Sequence, residues 1–453
     1  MRASVVGLGK LGAPLVAVMA AKGLEVVGVD LDEGVVAALN AGRAPFQEPR
    51  LQEMIDKTQG RLSATLDLAR ATAESEITFV IVPTPSEADG RFSMKHVLQV
   101  SEGIGRALAR KNGFHLVVLM STVMPGDTGG KMRPALEAHS SKLCGRDFGL
   151  CYNPEFVALG SVVNDMLSPD FILIGESDER SGEMLAGVYK QVCDNDPPVA
   201  RMNFVNAELT KLAVNTFVTT RISYANMLSE LCEKLAGADV DVVTGALGLD
   251  TRIGRKYLRG ALSYGGLCFP RDNVAFGQLA RSLGTDPVIA DATDAMNRLH
   301  LDHLVQVIVG YLPTGGTAGI LGLSYKPETG VVEASASIEL ARRLADDGFS
   351  VVAYDPQAMP AARALLGDRI ALAKCPAECA GQADVLVIAT PWAEFKSLTP
   401  PDLKPGNPRP VVVDCWRILP RAVFEGACTY VTLGSGPTPH GGKSIETAAR
   451  RIA

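Results

Sequence analysis

Residues 1–30 read MRASVVGLGKLGAPLVAVMAAKGLEVVGVD, and the turn Gly7-Leu8-Gly9-Lys10-Leu11-Gly12 within them decides the fold. It follows an apolar, β-rich run at 3–6 and opens a helical pattern over 13–22. Gly7 permits the tight turn, Gly9 lets a pyrophosphate approach the backbone, and Gly12 lets helix and strand pack closely. Lys10 and Leu11 complete the turn, and the helix start behind them offers partial positive charge to phosphates. Pro14 suits a first helical turn, where the missing N–H has no partner to lose. The next strand, 25–29, leads into Asp30, whose carboxylate bonds a ribose 2′-hydroxyl and repels a 2′-phosphate. These residues predict a Rossmann-like domain that takes NAD rather than NADP.

Working outward, buried-strand runs recur at 77–82, 116–120 and 171–174, with helical patterns such as 97–110 between strands. Residues 1–203 therefore read as one doubly wound α/β domain with parallel strands. From 206 to 236 the chain runs for about 30 residues without Pro or Gly at helical spacing, the length of a helix that joins domains or pairs subunits. A central helical region over 204–311 follows, interrupted by a Gly-rich loop around Cys268. The stretch 312–316, LPTGG, reads as a linker. Beyond it α/β alternation resumes over 312–433, with strands at 318–323, 351–354, 385–389 and 411–414 and a helix at 335–347. AGILGL at 318–323 echoes ASVVGL at 3–8 without the three-glycine turn, which argues against a second dinucleotide. The Gly-, Pro- and Ser-rich residues 434–453 read as a mobile tail.

Composition excludes several classes. A net charge of -6 over 453 residues leaves no footprint for nucleic acid or an anionic membrane surface. No apolar run is long enough to span a membrane, and a first strand at Ala3 leaves no room for a signal peptide. Nine scattered cysteines, an odd number without a Cys-x-x-Cys, point to a reducing cytoplasm. Cys375 and Cys379 lack a second pair, so no metal site is expected. His300 and His303, at i and i+3, read as a solvated helix face.

Several polar residues stand where chemistry could occur. Thr84 in VPTP and Thr122 in STVMPG follow strand ends, where ligands of open α/β sheets bind, although each is also an ordinary turn former. Glu155 in NPEF is a candidate base. Glu208, Lys211 and Asn215 share one helix face; Glu208 and Lys211 read equally as a surface ion pair, while Asn215 lies among apolar neighbours. Cys268 sits in SYGGLCFPRD, residues 263–272. The glycine pair allows close approach of a ligand, and Pro270 at a helix start places the thiol at the positive end of a helix, which favours thiolate. Asp272, four residues on, is a candidate proton-transfer partner.

Taken in order, GLGKLGAPL, VPTP, STVMPG, NPEF, AELTKLAVN, RIG, GGLCFPRD and GLSYKP resemble the UDP-glucose/GDP-mannose dehydrogenase family over most of the chain. The resemblance implies an NAD domain, a dimer formed through the central helix, and a C-terminal domain for a nucleoside diphosphate. It implies four-electron oxidation of a nucleotide-sugar C6 alcohol to a carboxylate, with Cys268 as nucleophile. By the same resemblance Lys211 and Asn215 steady oxyanion charge, and Glu155 and Asp272 handle protons. Phe156, Arg252, Tyr257, Gly265 and Lys326 would meet the substrate, Arg252 across the subunit interface.

The chain departs from the family pattern at Val157-Ala158-Leu159, at Leu267, at Arg271, at Glu333 in place of an Arg, and at Cys415-Trp416-Arg417. These changes bear on the substrate rather than on the NAD turn or the thiol. Two other readings stand beside this one. One is a two-electron alcohol or hydroxyacid dehydrogenase with a structural Cys268; the other is a nucleotide-sugar-binding homologue without turnover.

Overall fold

The computed structural model describes residues 1–437, and the chain divides into two compact units, from Met1 to Val214 and from Asn215 onward. In the first unit, strands β1 (Arg2–Val6), β2 (Glu25–Val29), β3 (Leu62–Thr65), β4 (Ile77–Val80), β5 (Leu116–Leu119), β6 (Gly149–Tyr152), β7 (Ile172–Glu176) and β8 (Val199–Met202) form one sheet. Their order is β3-β2-β1-β4-β5-β6-β7-β8. The sequence reversal between β1 and β4 makes the crevice above their carboxyl ends the place where ligands bind in such sheets. β4 and β5 are buried along their whole length and β1 from Ala3 onward, hence their mostly apolar runs, broken only by Ser4 and Thr78.

One strand differs from expectation. β7 runs antiparallel to β6, with Cys151 opposite Glu176 and Tyr152 opposite Gly175. Between them lies the short helix Val162–Leu167, six residues long. β3 and β8 escaped the sequence reading because both are largely unburied, so neither shows an apolar run.

The second unit repeats the plan. β9 (Thr317–Leu321), β10 (Ser350–Tyr354), β11 (Ala371–Leu372), β12 (Val385–Ile388), β13 (Val411–Asp414) and β14 (Thr429–Thr432) lie in the order β11-β10-β9-β12-β13-β14. The echo between β1 and β9 extends to the turn that follows each. Gly7 and Gly322 have φ of 96° and 97°. Gly7 N–H bonds the Val29 carbonyl and Gly322 N–H the Tyr354 carbonyl, both at 2.8 Å. Leu8 N–H reaches Asp30 at 2.6 Å and Leu323 N–H reaches Asp355 at 2.8 Å.

The two aspartates then part company. Asp355 is fully buried and also accepts from Ser324 N and Oγ, Trp392 Nε1, Gln357 N and Ala358 N. No lone pair there remains for a ribose. Asp30 is only part-buried, and its second oxygen takes the Asp32 N–H at 3.0 Å.

The long helix Phe204–Lys234 carries the boundary between the units, so Lys211 belongs to the first and Asn215 to the second. His300 and His303, on helix Val288–Val309, do not form a solvated face. His300 is buried and bonds Glu230 at 2.8 Å, and His303 bonds Glu233 at 2.6 Å. Acidic partners on the long helix make this face an internal one.

Residues 434–437, expected to begin the tail, are tied down instead. Gly434 N–H bonds Glu233, and its carbonyl accepts from Val240; Gly436 N–H bonds the Ala238 carbonyl. The rest of the expected tail lies outside the described residues. Among the described residues no helix is long and apolar enough to cross a membrane.

Candidate active site

In the first unit the three glycines of the opening turn have distinct spatial reasons. A Cβ on Gly7 would lie 2.4 Å from the Ile81 carbonyl oxygen, and one on Gly12 would lie 1.8 Å from that of Gly7. Gly9 has nothing within 4 Å of its Cβ position. The first two positions close the turn against the sheet and helix, whereas the third leaves backbone open to a ligand. With Lys10 exposed and helix Gly12–Ala21 starting after Leu11, the residues fit a dinucleotide pyrophosphate, and Asp30 fits its ribose.

Thr84 and Thr122 lie at neighbouring strand ends and are tied together, since Thr84 Oγ1 donates to the Thr122 carbonyl at 2.8 Å. Ser121, which drew no attention in the sequence, makes the reciprocal tie to the Val82 carbonyl at 2.7 Å.

Glu208 and Lys211 do not form a surface ion pair; both are buried. Glu208 accepts from Gly126 N at 2.6 Å and Thr128 N at 2.8 Å, where the chain turns after Thr122 into the helix that runs to Ser140. Burial raises its carboxyl pKa, against the lowering effect of these bonds. The sequence signal was a Glu at an apolar position of the helix, with no hint of its distant backbone partners.

Lys211 donates to the Glu155 carbonyl, and its Nζ stands 4.6 Å from the Phe156 ring centroid. Phe156 in turn packs on Phe171 at 4.8 Å. The Glu155 carboxyl is pushed up to about 7 by burial, with the Lys211 charge opposing. The loop behind it is pinned by Glu48, which accepts from Gly160 N at 3.0 Å and Val162 N at 2.9 Å. Leu159 packs against the apolar core there.

In the second unit Cys268 is exposed and caps the N-terminal end of helix Phe269–Ser282, with Pro270 within its first turn. Asp272, one turn along, is 1% exposed and accepts from Asn215 Nδ2 at 2.6 Å. The glycine pair before the thiol is sterically required. A Cβ on Gly265 would lie 2.1 Å from the Ala334 carbonyl oxygen, and one on Gly266 2.6 Å from the Tyr325 ring. Gly266 N–H also bonds the Glu333 carbonyl at 3.1 Å. The loop after β9, which carries Lys326, thus forms one wall of the cysteine loop.

Tyr257 adopts φ of 61° and meets Phe269 edge to face at 6.3 Å. Arg252 lies 86% exposed, paired with Asp250 at 2.6 Å. Arg417, one of the departures from the family pattern, bonds Asp239 at 2.8 Å and the Leu433 carbonyl at 2.7 Å.

Three family models match in succession. The NAD binding domain of the UDP-glucose/GDP-mannose dehydrogenase family covers residues 1–193, its central domain 205–299 and its UDP binding domain 319–421. The chain belongs to this family. That membership places it among NAD-dependent oxidoreductases. A UDP-glucose 6-dehydrogenase of Haloferax volcanii is 36% identical over 425 residues, covering 93% of this chain and 98% of that one. A GDP-mannose 6-dehydrogenase of Pseudomonas syringae is 32% identical over 361 residues, covering 78% and 81%. The solved UDP-glucose dehydrogenase of Pyrobaculum islandicum superposes with a TM-score of 0.85 at 36% identity, covering 95% of this chain and 96% of that one.

Proposed function

We propose that the protein oxidises the C6 hydroxymethyl of a UDP- or GDP-linked sugar to a carboxylate in two NAD-dependent steps, supplying an acidic sugar for polysaccharide or glycan synthesis in the cytoplasm. The observation that carries this reading is Cys268, exposed at a helix start one turn from the buried Asp272–Asn215 pair. Gly7, Gly9, Lys10, Leu11, Gly12, Asp30, Thr84 and Thr122 would hold NAD⁺, which would supply the hydride acceptor for both oxidations.

Loss of a hydride and a proton from the alcohol leaves an aldehyde. The Cys268 thiolate adds to its carbon to give a thiohemiacetal. A second hydride and the hydroxyl proton leave, giving a thioester. Water adds, the C–S bond breaks, and carboxylate and thiol are released. Lys211 and Asn215 stabilise the oxyanions formed at addition and hydrolysis. Glu155, with a carboxyl near 7, accepts the proton of the hydrolytic water, and Asp272 assists proton transfer at the alcohol. Phe156, Arg252, Tyr257, Gly265 and Lys326 hold the substrate.

The division of labour follows residues 1–203, 204–311 and 312–433. A homodimer through the long helix accompanies the reading, because Phe217, Tyr224 and Leu231 lie seven residues apart and are 64%, 46% and 49% exposed.

The test is NADH yield over a panel of UDP- and GDP-sugars. Two NADH per substrate are expected, falling to one or fewer with aldehyde release in Cys268→Ser. One NADH per substrate in the unaltered protein would overturn the covalent route in favour of a two-electron dehydrogenase. Sugar binding with no NADH from any substrate would overturn enzymatic function.

A further inference from the structure

The segment leading into the cysteine loop is gripped by two asparagines from different helices of the second unit. Asn226, fully buried on the long helix, accepts from Ala261 N at 3.1 Å and donates to the Leu262 carbonyl at 3.2 Å. Asn297, on helix Val288–Val309, accepts from Tyr264 N at 2.8 Å and donates to the Tyr264 carbonyl at 3.0 Å. Each carboxamide imitates a neighbouring strand, offering one donor and one acceptor to a segment that has no ladder of its own.

The grip extends along one face of helix Val288–Val309. Asp294 accepts from the Tyr264 hydroxyl, the Asn297 carbonyl accepts from Ser263 Oγ at 2.7 Å, and His300 Nε2 bonds the Ala261 carbonyl at 2.7 Å. Gly260 completes the close approach, since a Cβ there would lie 2.8 Å from that of Ser229.

We infer that Asn226 and Asn297 are positioning residues for Cys268: they fix residues 261–264, and with them the thiol, at the start of helix Phe269–Ser282. The role rests on the proposed covalent chemistry, in which a thiolate held at that helix end is the nucleophile. Loosening the stem lets Cys268 unwind from the first helical turn, where its carbonyl accepts from Asp272 N at 2.8 Å, so the thiol loses the helix dipole and becomes harder to ionise. The charged groups beside it, Arg271 and Asp272 on its own helix and Glu333 on the facing loop, whose carbonyl bonds Gly266 N–H at 3.1 Å, are unchanged in sequence in each variant.

The test is iodoacetamide alkylation of the full chain across pH 5–10, read by peptide mass spectrometry. Exposed Cys375 serves as the reference thiol in the same molecule. Asn226→Ala and Asn297→Ala are expected to raise the midpoint of the Cys268 profile by about one pH unit, slowing its alkylation about tenfold at pH values well below that midpoint, with Cys375 unchanged. Asn297→Asp keeps the acceptor for Tyr264 N but loses the donor; it should shift the same way and serves if the alanine variants do not fold.

Asn40→Ala is the matched control. Asn40 brackets Ala64 N and O at 2.8 and 2.9 Å in the first unit, so its loss costs the same kind of bonds without touching the cysteine loop. A Cys268 profile that stays put, or that moves no more than in Asn40→Ala, overturns the inference. Alkylation is read without turnover, so a failure of the two-NADH stoichiometry is seen separately.

Discussion

Glu155→Gln should make the first unit more stable at alkaline pH while disabling acid formation. The carboxyl is pushed from the ordinary 4.5 up to about 7 by burial, partly offset by the Lys211 charge. Below about 4.5 the side chain is protonated in folded and unfolded chains alike, and the full stabilising contribution of the neutral form is present. Between roughly 4.5 and 7 the unfolded chain releases its proton while the folded chain keeps it, so stability falls as pH rises. Above 7 the folded state carries a desolvated carboxylate. At about 1.4 kcal/mol per pH unit the whole gap is worth on the order of 3 kcal/mol.

Glu155 as a residue is only partly buried, so about 2 kcal/mol is the expected gain of Glu155→Gln over the parent between pH 5 and pH 8. Urea unfolding at the two pH values, followed by far-UV circular dichroism, measures it. Trp392 and Trp416 both lie in the second unit, so their fluorescence reports separately on a region that should not change. In turnover assays the same variant should lose the second, hydrolytic phase by about 100-fold or more. A stability difference that is the same at both pH values would refute the placement of a strained carboxyl at Glu155.

Gly9→Ala meets open space and should fold normally, yet raise KM for NAD⁺ about tenfold or more; Gly12→Ala meets the Gly7 carbonyl at 1.8 Å and should fail to give stable protein, as calorimetry would show. Glu208→Ala strips acceptors from the Gly126 and Thr128 N–H groups and should lower stability by about 2–4 kcal/mol in chemical unfolding, more than an exposed Glu such as Glu53 would. Phe217→Asp combined with Leu231→Asp should convert a dimer to monomer in sedimentation; an unchanged sedimentation coefficient would remove the long helix from the interface.

Much of the architecture could be read along the chain because its causes are local or periodic. The turn at 7–12, the buried runs of β1, β4 and β5, and the long uninterrupted helix each depend on residues within a few positions of one another. β3 and β8 were missed because sheet-edge strands need no apolar run. The direction of β7 was misread because a buried parallel strand and a buried antiparallel strand share the same composition; only the pairing in the assembled sheet sets it.

The candidate residues were legible as chemical types, but their surroundings were not. A glutamate at 208 looked like half of a surface pair, and two histidines looked solvated. Each is bound to partners tens of residues away, and burial reversed both readings.

By itself the sequence determined an NAD-type turn, a thiol beside two glycines at a helix start, and an ordered set of motifs that belongs to one dehydrogenase family. Those are statements about nearest neighbours and residue types, which the chain carries wherever it folds. Only the tertiary structure decided that Gly9 faces open space while Gly7 and Gly12 do not, that Glu155 is desolvated enough to titrate near 7, and that Asp355 has no capacity left for a second ribose. It also supplied Asn226 and Asn297 as the grip on the cysteine loop. Burial and long-range hydrogen bonds set these properties, and both depend on which distant segments fill the space around a group.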